Sequence, residues 1–323
     1  MFDVFLINKE KNEKSIIEKA EFEKIELTAI KSQYRKKFYW INCVDPTEEE
    51  IDALFDLTGI KKNHFSDVLL DTERSTLIKG KWLFISYRAL NQNMDSTTPL
   101  GIFSYKNLLI TIEKEPLKSI TKYKYLLSEK KGNLLFEKGK VSFICRLFDN
   151  INDGFKEKIN DEMKKTKLME ETGFGISTKK IESIYSAIVT HIYLQNALSS
   201  NMEVLNAIMK GKLREFNQLS DEYREVYEDV KELLYMENMQ RNITTTLFDF
   251  HSSYATHEIN KTMKKITGWG FVIMIPTLIA SIYGMNFKII PLSQGYYDFF
   301  IVNFIMIVIM FVCFGYLKKI KWL

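Results

Sequence analysis

Cysteine is scarce in this chain, and the three that occur, Cys43, Cys145 and Cys313, stand far apart and are odd in number. That usage argues against a disulfide framework and against a thiolate zinc site. Five prolines and 14 glycines in 323 residues are too few for a collagen-like or loop-dominated protein. No GxxxxGK(S/T) loop is present, so ATP-driven transport has no support. Neither HExxH nor GxSxG occurs, so a zinc protease or serine hydrolase is not indicated and the chain does not read as an enzyme. Of the four histidines, His251 and His257 are six apart. That spacing does not bring them to one helical face, and no histidine metal site is expected.

A second absence is local. Charged residues make up 27% of the chain, and hydrophobic residues 46%. Yet no charge falls in TGWGFVIMIPTLIASIY (267–283) or in FFIVNFIMIVIMFVCFGY (299–316). Each run approaches the length that crosses a bilayer as a helix, and little chain remains to cover two such helices in a soluble core. Two transmembrane helices are expected. Lys261, Lys264 and Lys265 precede the first, and Lys318, Lys319 and Lys321 follow the second. The connection, 284–298, holds only Lys288 and Asp298. By the positive-inside rule both termini face the cytoplasm and the connection faces out. The opening MFDVFLINKEKNEK has no long apolar region after a basic stretch, so no signal peptide is expected. The net charge of +4 then marks topology at the membrane flanks, and no nucleic-acid partner is implied.

The remaining length and its 23 phenylalanines suit folded domains and not a disordered chain. VFLIN (4–8), FYWINCV (38–44), KWLFISYRAL (81–90), GIFSY (101–105) and NLLITI (107–112) read as strands. DPTEEEIDALFDLTG reads as a helix. Asp45 is expected to cap it, Pro46 to lie in its first turn, Glu48 to complete a capping box and Gly59 to stop it. The expected order is an α/β domain over 1–138, a helical hairpin over 139–220 with breaks at GFGIST (173–178) and near Gly211, and a stalk helix over 221–266. The spans then cover 267–283 and 299–317, joined by an outer loop over 284–298 and followed by a basic tail over 318–323. With no proline or glycine between Asp221 and Gly268, stalk and first span read as one helix. At 1.5 Å per residue it would be on the order of 90 Å long. A helix that long needs bundling, which implies an oligomer.

The first span ends in Tyr283-Gly284-Met285-Asn286-Phe287. This run resembles the signature of the CorA family of magnesium transport channels. The likeness extends along NKTMKKITGWGFVIMIPTLIASIYGMNF (260–287) as that family's pore helix. It includes the tail KKIKWL (318–323), and YREVY (223–227) at the start of the stalk. The resemblance implies a cytoplasmic α/β domain, long stalk helices and a two-helix transmembrane hairpin. It also implies a funnel-shaped homo-oligomer, a pentamer, in a bacterial-type inner membrane with lipid around it. The implied cargo is magnesium, with cobalt, nickel or zinc as further ions.

The residues carry a physical reading beside that likeness. Magnesium sheds its water reluctantly, so a dehydrated protein cage is costly. A pore can hold the hydrated ion through oxygen acceptors that touch its waters. Gly284 and Met285 lead to Asn286, whose carbonyl oxygen, repeated in a ring, would form a selectivity collar. The lesser reading of Asn286 is a helix cap at the interface. Met263, Ile266, Gly270, Met274, Thr277 and Ser281 recur at spacings of three and four and share a face, with Asn260 and Asp249 below them. Taken with the resemblance they read as pore lining, with hydroxyls for water and apolar rings that close by dewetting; on the residues alone a packing stripe is the first reading. A helix-packing stripe has the same composition, and Asp249 could be a solvated stalk charge.

The resemblance further implies regulatory magnesium between subunits. Asp67 and Glu225 resemble one pair, and Asp153 and Asp229 resemble part of a second site, where Ser66 stands in place of a carboxylate. Facing carboxylates repel, and a divalent ion between them would hold subunits together. One departure is the outer loop: Lys288 is present and no carboxylate follows until Asp298, so electrostatic recruitment of cations should be weak. Related zinc transporters of the ZntB type usually change the methionine of the GMN triplet, so Met285 favours magnesium. Two other readings remain open on the residues, a proton-coupled zinc or transition-metal carrier and a membrane-anchored sensor.

Overall fold

A computed structural model describes residues 2–9, 15–19, 37–70, 75–80, 82–128, 139–171, 178–212, 216, 219–286, 291–292 and 295–322. The chain forms two compact units, Met1–Gly173 with Glu182–Leu247, and Phe174–Ile181 with Phe248–Leu323.

In the first unit seven strands form one sheet: β1 (Phe2–Lys9), β2 (Ser15–Lys19), β3 (Lys37–Val44), β4 (Thr76–Lys79), β5 (Leu83–Leu90), β6 (Thr97–Tyr105) and β7 (Leu108–Glu113). Their order is β2-β1-β3-β7-β6-β5-β4. Only β3 and β7 run parallel, with Trp40 opposite Leu109. The period of two along each strand divides the core. Ile41, Cys43, Phe84, Phe103 and Ile110 bury one face against α1 (Glu48–Thr58) and α2 (Lys62–Leu69), through Leu54, Phe65 and Val68. Gly101 is required there, because an added Cβ would lie 2.5 Å from Val68 Cγ2. Trp40, Ile85, Tyr87, Leu100 and Leu109 bury the other face against long helices, through Phe143, Phe148, Leu198 and Tyr223.

The cap of α1 differs from the one expected. Thr47 is the cap: its hydroxyl accepts from Glu50 N–H, and Glu50 returns the bond to Thr47 N–H at 3.0 Å. Asp45 instead adopts a left-handed φ of 42°, and its N–H pairs with Glu113 O. The backbone there continues the β3–β7 pairing and is not free to cap. Gly59 ends the helix at φ 69°, as expected.

Among the described residues four further helices precede the last. They are α3 (Lys118–Ser128), α4 (Lys140–Glu171), α5 (Thr178–Ala207), which runs into a π-helical turn at Ile208–Lys212, and α6 (Ser220–Tyr283). The GFGIST break lies almost wholly outside the described residues. Helix α6 is continuous over 64 residues with Pro276 inside it, and α7 (Asp298–Lys319) follows. Both α6 and α7 contain stretches long and apolar enough to cross a membrane, and these leave most of their surface uncovered.

Candidate functional site

The C-terminal hairpin is pinned at both ends. The Trp269 ring lies 5.7 Å from that of Phe314, and Tyr283 OH donates to Pro291 O at 2.9 Å. The covered face of α6 carries Gly268, Val272, Ile275, Ile279 and Tyr283. The stripe Asp249, Asn260, Met263, Ile266, Gly270, Met274, Thr277 and Ser281 is exposed throughout. At 100° per residue the stripe is centred about 180° from the covered face. The contact of Trp269 with Phe314 does not involve the stripe, and among the described residues the stripe stays uncovered. An added Cβ on Gly270 would meet nothing within 4 Å.

Pro276 has no N–H for the carbonyl of Val272, which loses its ordinary helical donor. Next to it, the Thr277 hydroxyl donates to Ile273 O at 2.9 Å. Its one proton is thereby committed, and only lone pairs point outward. A hydrated cation presents water hydrogens to its surroundings, so acceptor-only groups suit it.

The helix ends in a tight turn, with Gly284 N–H on Ala280 O at 3.0 Å and Met285 N–H on Ile282 O at 3.2 Å. An added Cβ on Gly284 would sit 3.4 Å from Ser281 O, at the edge of ordinary contact. Asn286 is exposed, and its carboxamide makes no hydrogen bond to the described residues. Residues 287–290, including Lys288, lie outside the described residues. Asp298, the carboxylate of the outer loop, is bent back to accept Gly295 N–H at 2.6 Å. Lys318 and Lys319 occupy the last turn of α7, where they complement its dipole, and Lys321 follows.

In the first unit, Asp149, Asn152, Asp153, Lys156, Asp229 and Glu232 line one open cleft of about 390 Å³ between α4 and α6. The fold thus brings Asp153 and Asp229 together. Burial pushes the Asp149 carboxyl above the usual range, helped by the charges of Asp153, Asp229 and Glu225. Burial, then Glu225 and Glu232, raise Asp229 as well, against Lys156. Among the described residues no three His, Cys, Asp or Glu are grouped so as to hold a metal. The cluster is a like-charge patch in one protomer. Asp67 lies on α2, and its side chain is outside the described residues, as is that of Ser66. The sequence reading missed Asp149 and Glu232. Their spacing from Asp153 and Asp229, four and three residues on a helix face, was the available signal. On α6, His251 is buried and His257 exposed, and burial followed by the Lys180 charge lowers the His251 imidazole.

An α/β body, a 64-residue helix and an apolar C-terminal helix, the last two each long and apolar enough to cross a membrane, fit the class of two-span membrane proteins. Residues 35–319 match the model of the CorA-like Mg2+ transporter proteins, and the chain belongs to that family. It is 27% identical over 294 residues to the cobalt/magnesium transport protein CorA of Methanocaldococcus jannaschii, covering 89% of this chain and 92% of that one. It is 22% identical over 297 residues to the magnesium transport protein CorA of Wolinella succinogenes, covering 88% and 91%. The complete structure of the CorA magnesium transporter from Methanocaldococcus jannaschii superposes with a TM-score of 0.81 at 24% identity, over 99% of both chains.

Proposed function

We propose that this chain forms a homo-oligomeric channel, a pentamer by family resemblance, that passes hydrated magnesium, and cobalt with it, through the cytoplasmic membrane. The observation that carries the reading is the exposed stripe on α6, opposite the covered face, with the exposed Asn286 beyond its end. Repeated around an axis, Asn286 carbonyl oxygens form the collar at the outer mouth. Ser281 and Thr277 hydroxyl oxygens follow, and Asn260 and Asp249 line the inner end. Each touches the ion's waters and not the metal, so the hydration shell is kept. Met274, Ile266 and Met263 form the narrow apolar rings between, where water is lost when the pore tightens. Both termini face the cytoplasm. Influx follows the membrane potential, about 2.3 kcal/mol per charge per 100 mV and twice that for a divalent ion.

Regulation uses the repulsive cleft. Asp149, Asp153, Asp229 and Glu232, with Glu225 and the Asp67 of a neighbouring subunit, are held apart by like charge until a divalent ion neutralises them. High cytosolic magnesium thereby closes the channel. The chain acts as a transporter and carries out no catalysis. The test is flux into liposomes with a magnesium-sensitive dye: wild-type protein loads them, and the Asn286→Ala variant loads them at least about tenfold more slowly.

A further inference from the structure

One face of α6 carries a seam of buried residues at spacings of three and four: Tyr223, Val226, Val230, Leu233, Glu237, Gln240 and Thr244. Such alternation is the a/d pattern of a helix locked against its neighbours. The chemistry changes sharply halfway along. Tyr223, Val226, Val230 and Leu233 belong to the apolar core. Glu237, Gln240 and Thr244 are just as buried, yet polar.

The neighbours match each half. Against the apolar half α4 brings Phe148, whose ring meets Tyr223. Against the polar half α5 brings His191, fully buried, with Nδ1 2.8 Å from Glu237 Oε1. Its Nε2 lies 3.4 Å from Thr244 Oγ1. That hydroxyl donates to Gln240 O at 3.0 Å, which leaves lone pairs toward the ring. Helix α4 adds Thr166, 3.4 Å from Thr244. The second carboxylate oxygen, Glu237 Oε2, is buried with no hydrogen-bond partner among the described residues.

A buried histidine–carboxylate hydrogen bond, with one carboxylate oxygen unpaired among the described residues, holds helices less firmly than an apolar seam of the same size. It also loses little on opening, because water can replace every bond it makes. An apolar seam has no such replacement. We propose that the polar half of this seam is a yielding joint. Residues 237–244 of α6 part from α5 and α4 and take up water when regulatory magnesium leaves, while 223–233 stay shut. The inference rests on the magnesium-gated channel reading above, and it names where in the body the pore-bearing helix gives way.

The test uses full-length protein with His191→Met and Glu237→Met together, which fills the seam with apolar volume. The variant should melt at or above the wild-type temperature and should close at a magnesium concentration on the order of tenfold lower. Unchanged magnesium dependence in a folded variant overturns the joint, because a pair that serves only helix register would not alter gating. A second measurement holds even where the variant does not fold. In the wild type, amide hydrogen exchange over 237–247 should speed up on magnesium removal while 223–233 stays protected. Equal protection of both halves with and without magnesium, in protein that carries magnesium normally, overturns the joint alone. Absence of magnesium flux in the wild type overturns the channel reading instead.

Discussion

The hydroxyl of Thr277 donates to the carbonyl oxygen of Ile273, one turn back on the same helix, at 2.9 Å. This local bond decides what the side chain offers to anything beside it: two acceptor lone pairs and no hydrogen. Replacing Thr277 by Val keeps its shape and removes the acceptors. Flux should fall by about tenfold, the size of a lost hydrogen bond to a charged partner. Thr277→Ser keeps the oxygen and should retain near wild-type flux. Liposome uptake at matched protein incorporation reads both.

Asp298 is bent back onto Gly295 N–H at 2.6 Å, and the remaining outer loop carries Lys288 and no acid. In the proposed pore this loop offers one carboxylate against one lysine, so its net field for concentrating cations is small. Asp298→Asn should change flux by less than about twofold. Raising external salt should slow influx only weakly, since screening acts on a field that is small to begin with. Uptake measured across a monovalent salt series gives the answer.

The acidic cleft makes a prediction about pH. The carboxyls of Asp149 and Asp229 sit above their ordinary range through burial and like charge. A carboxyl raised in the folded state binds protons more readily there than in the unfolded chain. Lowering the pH from neutral toward the ordinary carboxylate range near pH 4 should therefore stabilise this part of the body in metal-free protein, until other groups titrate. In the proposed regulation magnesium answers the same repulsion, so the stabilisation it gives should shrink over the same pH interval. Asp229→Asn should raise the metal-free melting temperature and reduce the magnesium increment. A thermal-melt matrix of pH against magnesium measures both. A magnesium increment that grows on acidification contradicts the assignment.

At the first helix, the reciprocal bonds between Thr47 and Glu50 predict that Thr47→Ala costs about 1 kcal/mol of stability. Asp45→Asn should cost little, since its N–H bond to Glu113 O is a backbone bond that survives the change. Denaturant melts of the full chain in detergent compare the two.

The cap also shows where reading from sequence reached its limit. Asp45-x-x-Glu48 and Thr47-x-x-Glu50 both fit the pattern, and only the β3–β7 pairing, which holds Asp45 N–H, selects the second. The central strands were legible because Phe, Trp, Ile and Tyr crowd them. Strand β4 (Thr76–Lys79) was not, because an edge strand with three exposed residues has little burial to write into its sequence. Helix α2 was also missed; it is eight residues long, too short for its periodicity to stand out. The two spans, their basic flanks and the continuity of stalk and span were plain from charge alone. The stripe on α6 was legible as a face, but its being left open required the hairpin, since packing and lining stripes have the same composition. The cleft was half legible: Asp153 and Asp229 look like solvated charges until α4 and α6 are laid together, and only then do Asp149 and Glu232 join them.

The central claim is that this chain is a channel for hydrated magnesium and not a carrier coupled to protons. The most direct measurement is ion flux into liposomes holding purified protein, with magnesium and zinc compared with and without a pH gradient. The account predicts magnesium uptake that follows the membrane potential and is indifferent to the pH gradient. Zinc uptake that requires the gradient, with no magnesium uptake beside it, would contradict it.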